Sequence, residues 1–455
     1  MEQTNLLDEI KNLIQNLASK ELIYRIEELH PADIAEILLD LNEQEQKYLF
    51  KLLPHDTAAE VLNEVDGDTF AAILENLTAE KTTEILDEMS LDDVADILGE
   101  LSESEQTKII ELFDHEDATD IRDLMHYSED TAGGIMTTEF VSVREDMTIS
   151  QAIEELRSME HEAETIYYVY VTDYIGTLVG VLSLREIIMS KPDRLVSEVM
   201  QSNVIYVNVH TDQEEVAKAV AKYDLLAIPV VDNETILQGI ITVDDILDVI
   251  EEEATEDIFR IAGTSEIEYD ENDSTASHLW SSVKSRLPWL MITLAGSFVT
   301  GAVITGFESQ ISQNAALVKF MPALTGMGGN IGTQSSTLTV RGIATGRINS
   351  KEISKNLLRE GLVGIFIGAI CGVATSFVAG LAFGQPQLGP VVGMSMAANM
   401  LTASTIGTLA PLIFKNIGID PAVASAPFIS TTIDITGNII NDVSCNINCC
   451  RNKRC

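Results

Sequence analysis

Basic side chains are scarce in this sequence. Lys and Arg number 28 against 72 Asp and Glu, giving a net charge of -44 over 455 residues. A surface of that sign repels phosphate backbones, which excludes nucleic acid as a partner of the charged region. Histidine (7), cysteine (5) and tryptophan (2) are also sparse. Cys371 lies in an apolar run, and Cys445, Cys449, Cys450 and Cys455 crowd into the last eleven residues without a recognised zinc spacing. From residue 276 onward the only histidine is His278, so a nucleophile–base centre is not expected there and the chain does not read as an enzyme. The stretch from Met1 to Lys20 is charged and helical in pattern, unlike a cleavable leader, and places the N-terminus in the cytosol.

What is abundant is distributed unevenly. Residues 1–275 hold 66 acids and 16 bases, 16 − 66 = -50, and residues 276–455 hold 6 acids and 12 bases, 12 − 6 = +6. An acidic soluble part is therefore joined to an apolar, weakly basic one. The acidity means either a solvated surface or a cation-binding domain.

Residues 1–130 read as an all-α superhelical domain. Apolar residues recur at three and four, as in Ile34, Ile37, Leu38 and Leu41. The segment from Asp33 to Gln46 is repeated from Asp93 to Gln106, and Asp56–Leu62 is a degenerate copy. Residues 131–253 then alternate short β-branched strands with helices, again twice: Val179–Ile188 parallels Gln238–Leu247. This looks like an α/β tandem pair of CBS domains, over 131–200 and 201–253. The resemblance implies a regulatory module that takes nucleotides or ions; ATP is a candidate ligand, with His161, Tyr168 and Tyr170 as lining residues. Residues 254–280 are expected to form a linking helix running into a polar stretch, read either as a linker or as a rod that transmits motion.

Residues 281–440 are expected to form an α-helical transmembrane bundle of about five helices, near 287–307, 315–340, 357–383, 389–414 and 422–440. Each approaches the ~20 apolar residues that cross a bilayer. Trp280 and Trp289 bracket the entry of the first span. Arg341, Arg347, Lys351, Lys355 and Arg359 make the loop after the second span basic, hence cytosolic, while the Gly384–Pro390 connection carries no charge and suits the outside.

Asp434 is a carboxylate inside an apolar span, where insertion costs roughly 2.5–3.5 kcal/mol. Such a residue either lines an ion path or is satisfied structurally. Mg2+ prefers hard oxygen ligands and keeps several of its waters. Two copies of Asp434 on a dimer axis, with the Ser430 carbonyl and the Thr431 and Thr432 hydroxyls nearby, suit a hydrated Mg2+. Gly326, Gly328, Gly329 and Gly332 permit close helix packing, and Asn330 adds a neutral oxygen.

The run Pro322–Gln334, the Ile419–Phe428 segment followed by Thr431–Gly437, and the order of the soluble parts together resemble the MgtE family of magnesium transporters and channels. The resemblance covers roughly residues 1–440. It implies a homodimer in the cell membrane that takes up Mg2+ and closes when Mg2+ occupies its cytosolic domains. It also carries regulatory sites onto Glu60, Asp92, Asp96, Glu214, Asp224, Asp245, Asp248, Glu253, Glu256, Asp257 and Asp420; taken singly, each of these acids reads first as a solvated surface group. Two carboxylates about 6 Å apart repel by roughly 3 kcal/mol at an effective dielectric of ~20, so Mg2+ would draw together domains that repulsion holds apart. Alternatives are a gradient-coupled Mg2+/Co2+ transporter or exporter, and a non-transporting CBS-regulated sensor. Two features depart from the family. Ala426 stands where some relatives carry Asn, and residues 441–455 form an aberrant, polar, Cys-rich tail after Gly437.

Overall fold

The computed structural model describes residues 2–16, 19–26, 28–115, 117–158, 165–265, 275–306, 319–348, 353–383, 388–424 and 426–451. The chain divides into two compact units, Met1–Ile250 and Glu251–Cys455.

The first unit begins with short helices from Glu2–Gln15 to Asp117–Leu124. The repeat visible in the sequence is reproduced in detail. In the first copy the amide of Gln46 donates to the Leu38 carbonyl at 3.1 Å; in the second, Gln106 donates to Leu98 at 2.8 Å. The helix that follows each first helix opens with an acid three residues beyond its cap. Glu45 accepts from the Asn42 amide at 3.2 Å, and Glu105 from the Ser102 amide at 3.1 Å. These reciprocal caps fix where each helix starts and thus the angle between neighbours. Lys81 extends across to the end of helix Glu43–Leu52, donating to the carbonyls of Phe50 and Leu53, which a helix C-terminus otherwise leaves unsatisfied.

Two small sheets follow. Strands β1 (Phe140–Arg144), β2 (Thr165–Thr172) and β3 (Leu178–Ser183) form one; β4 (Val207–Asn208), β5 (Ala227–Val231) and β6 (Leu237–Thr242) form the other. In both, the first pair is parallel and the second antiparallel. The duplication again extends to side chains: Asp173 and Asp232 each cap a turn, accepting from the amides of Ile175 and Thr177, and of Glu234 and Ile236. One apolar core runs from Ile10 and Phe50 through Ile121 to Val207, Ile228 and Ile246. The helical domain and the second sheet are therefore packed as one body. Helix Val243–Ala262 leaves the second sheet and crosses from the first unit into the second.

The second unit contains helices Thr275–Gly306, Met321–Ala344, Ile353–Phe383, Leu388–Asn416 and Ala426–Arg451. Among the described residues three are long and apolar enough to cross a membrane: Leu279–Gly306, Ile353–Leu381 and Gly389–Asn416. The expected second and fifth spans overlap helices Met321–Ala344 and Ala426–Arg451, which are more polar and are not among those three. The Leu388–Asn416 helix packs against three others, and its window has the lowest mean hydropathy, 1.3, with the largest enclosed share, 44%. A helix shielded by protein can carry polar groups that lipid-facing ones cannot.

Candidate cation sites

The last helix is held at close range on several sides by glycines. A Cβ at Gly296 would fall 1.8 Å from Thr431 Cγ2, one at Gly332 1.9 Å from Ile433 Cδ1, and one at Gly329 3.5 Å from Ser430 Oγ. The glycine run expected to pack helices does so: Gly328 and Gly332 seat Ile433, and Gly407 brings a backbone against the Gly332 carbonyl, 2.2 Å from where its own Cβ would lie. Gly326 meets nothing within 4 Å. Asp434 is half-buried on this helix. Its carbonyl accepts the amide of Asn438 at 2.7 Å. Ser430 is half-buried, and Asn330 is exposed within the single chain. Asp434 and Ser430 lie one helical turn apart, so they share a face of the helix.

In the soluble unit, Asp92 and Asp245 come together at the facing starts of helices Leu91–Glu100 and Val243–Ala262. Sequence reasoning named these two but missed their neighbours, Asp93 and Asp244, which bring further charge to the same junction. Burial, with the charges of Asp93 and Asp245, pushes the Asp92 carboxyl up to about 8, against a hydrogen bond from Thr137. Asp92 Oδ1 is buried without a hydrogen-bond partner. Asp245 is pushed up to about 6, chiefly by burial. It also caps its own helix through the Thr242 amide at 3.2 Å, as Glu186 does for Ser183 in the first copy. That capping pattern was the available signal that Asp245 has a structural duty.

The remaining acids are dispersed. Glu60, Asp96 and Asp248 are exposed. Glu214 pairs with Lys218 at 2.7 Å. Asp224 ends helix Gln213–Tyr223 in the left-handed region at φ 51°. In the second unit, Glu253, Glu256 and Asp257 are half-buried, and Arg260 joins Glu256 to Asp420. Arg260 was not anticipated; its i,i+4 spacing from Glu256 was the clue. Asp420 also caps the Ala422 amide at 2.8 Å. Among the described residues no group of three or more His, Cys, Asp or Glu is arranged to hold a metal within this single chain.

A cleft of about 510 Å³ in the strand region is lined by Tyr167, Tyr168, Ser183, Arg185, Met189 and Leu226. Tyr168 lines this cleft. Tyr170 does not: it is 1% exposed, with Phe140 edge-on at 6.5 Å, in a core shared with Ala227, Val231 and Ile240 of the second sheet. His161 and the connections 266–274 and 384–387 lie outside the described residues, as do the side chains of 441–455.

The MgtE divalent cation transporter family matches residues 321–441, its intracellular N domain residues 29–130, and the CBS domain residues 132–192 and 196–252. The magnesium transporter MgtE of Thermus thermophilus is 42% identical over 322 residues, 70% of each chain. The chain belongs to the MgtE family. The Enterococcus faecalis MgtE is 41% identical over 318 residues, 70% of this chain and 69% of that one. Among solved structures, the soluble part of a magnesium transporter is 35% identical with a TM-score of 0.51, covering 55% of this chain and 99% of that one. The cytosolic domain of the Mg2+ channel MgtE in complex with ATP is 41% identical, also with a TM-score of 0.51, covering 53% and 99%. The MgtE match ends at residue 441.

Proposed function

We propose that this chain mediates Mg2+ uptake across the cell membrane as a channel, and that Mg2+ on its acidic cytosolic domains closes it. The single supporting observation is a carboxylate, Asp434, on a helix that neighbouring glycines hold in place, in a chain of the MgtE family. In this reading a homodimer presents two Asp434 carboxylates, with Ser430 carbonyls and Asn330 amides, to a hydrated Mg2+. Hard oxygens that leave the inner waters in place suit an ion that dehydrates reluctantly. Transport in this reading needs no catalytic chemistry.

Closure works by charge. Without Mg2+, burial and mutual repulsion disfavour full ionisation of Asp92, Asp245, Asp93 and Asp244 at a junction inside the cytosolic unit. A bound dication cancels that repulsion. Glu60, Asp96, Glu214, Asp224 and Asp248, and separately Glu253, Glu256, Asp257 and Asp420, complete the regulatory set through the partner subunit. Swinging a gate from 1:99 to 99:1 takes about 5.5 kcal/mol of differential binding, within reach of several weak Mg2+ sites. The Tyr168–Arg185 cleft is the place for a nucleotide such as ATP, its guanidinium meeting phosphate.

Rescue of a magnesium-requiring bacterial strain by this gene tests uptake. Growth with the parent and none with Asp434→Ala is the expected result; equal growth with both refutes the pore assignment. Currents that reverse with Mg2+ potential, independent of proton or sodium gradients, separate a channel from a coupled transporter.

A further inference from the structure

Eight polar side chains are buried in the described membrane helices, and one asparagine among them has only one of its two polar atoms paired. Asn399, in helix Leu388–Asn416, is 1% exposed. Its Nδ2 donates to the Leu324 carbonyl at 2.6 Å, while its Oδ1 has no partner. An unmet buried acceptor carries a desolvation penalty that an apolar side chain of the same size avoids. Packing alone gives no reason for the amide: Met396, Met400 and Ala403 fill adjacent positions of the same helix at 0–1% exposure without that penalty.

Two glycines shape its slot. A Cβ on Gly328 would lie 2.5 Å from Asn399 Nδ2, and a Cβ on Gly437 would lie 2.8 Å from Asn399 Oδ1. In a helix the Leu324 carbonyl faces residue 328, so the missing side chain at Gly328 uncovers that carbonyl to a second donor. Gly328 is two residues before Asn330, and Gly437 is three after Asp434. One amide thus touches both helices that carry candidate pore oxygens, within a turn of each.

We propose that Asn399 is a positioning residue for the cation path: its buried amide donates to the Leu324 carbonyl, packs against Gly437, and so fixes the spacing between the Asn330 and Asp434 helices. This rests on the pore reading above. Ligands around a hydrated ion need placement within about 0.5 Å, and a polar clamp seated between two glycines sets one distance where apolar packing would tolerate several.

The test is Asn399→Leu, which keeps volume but removes donor and acceptor, in the full-length chain with its native cysteines replaced by serine. Two readouts are needed. A Cβ at Gly329 would lie 3.7 Å from Ser430 Cβ, inside the ~3.5–4.5 Å range of a disulfide. The pair Gly329→Cys and Ser430→Cys should therefore oxidise readily under copper–phenanthroline when Asn399 is present, and roughly tenfold more slowly with Asn399→Leu. The second readout, made without the cysteine pair, is the Mg2+/Na+ permeability ratio from reversal potentials, which does not depend on how much protein inserts; it should fall by roughly tenfold. An unchanged cross-linking rate overturns the clamp whether or not the parent conducts. Slowed cross-linking with an unchanged permeability ratio overturns its role in the cation path. A parent that passes no Mg2+ current refutes the pore reading instead, and cross-linking then decides the clamp alone. If Asn399→Leu does not insert, Gly437→Ala, which presses on Oδ1 from the other side, takes both measurements with the same expectations.

Discussion

Asp92→Asn removes one ionisable carboxyl from the junction of helices Leu91–Glu100 and Val243–Ala262 while keeping its shape. The Asp92 carboxyl has a pKa of about 8 in the folded chain against an ordinary 3.8. The sign follows from proton linkage. Below pH 3.8 both folded and unfolded states hold the proton and there is no penalty. As pH rises the unfolded state loses its proton first, so the folded state is disfavoured by 1.36 kcal/mol per unit, until about pH 8. At pH 7 the span is 7 − 3.8 = 3.2 units, or about 4 kcal/mol for Asp92. Asp245, with a value of about 6, contributes about 3 kcal/mol by the same reckoning. Because neighbouring charges create part of each shift, the two do not add. Asp92→Asn should therefore stabilise the Mg2+-free cytosolic segment by roughly 2–4 kcal/mol at pH 7, raising its Tm by roughly 5–10 °C. A homologous soluble part has been crystallised by itself, so melting of residues 1–262 in EDTA is a fair assay. At pH 4.5 the gain should shrink to about 1 kcal/mol, and added Mg2+ should stabilise the parent more than the variant. A variant no more stable than the parent in EDTA at pH 7, or a difference that ignores pH, would refute the reasoning.

Other expectations concern the second unit. Asp434→Asn should reduce Mg2+ flux into proteoliposomes by roughly a hundredfold at equal protein content, since a neutral amide replaces a path carboxylate; flux within twofold of the parent counts against the site. Gly407→Ala should abolish the folded membrane domain, because its Cβ would meet the Gly332 carbonyl at 2.2 Å, whereas Gly380→Ala, with nothing within 4 Å, should elute and melt like the parent. Arg260→Ala leaves the Glu256 and Asp420 carboxylates facing one another; the Mg2+ concentration that protects residues 251–265 from protease should rise severalfold, and an unchanged midpoint would remove Arg260 from the switch.

The sequence by itself determined the local and repeated features of this protein. The repeat of the N-terminal helices could be read because each copy needs the same apolar positions and the same capping acid three residues into a helix. The paired strand units were visible because β-branched runs recur at a fixed interval. The apolar spans were visible because lipid leaves composition little freedom, and Asp434 stood out against that background. Tertiary structure decided which faces meet. Periodicity says that Asp92 and Asp245 sit at helix starts; it does not say that the two starts converge, nor that Asp93 and Asp244 join them. It marks Asp420 as an acid before the last helix and says nothing of Arg260, 160 residues earlier in the chain. Tyr170 was misread as a pocket residue because alternation along a strand fixes the side a ring takes, while what covers that side comes from elsewhere. Asn399 was invisible for the same reason: an asparagine in an apolar helix acquires meaning only when two glycines from other helices close around its amide, and contacts between distant segments leave no period in the chain.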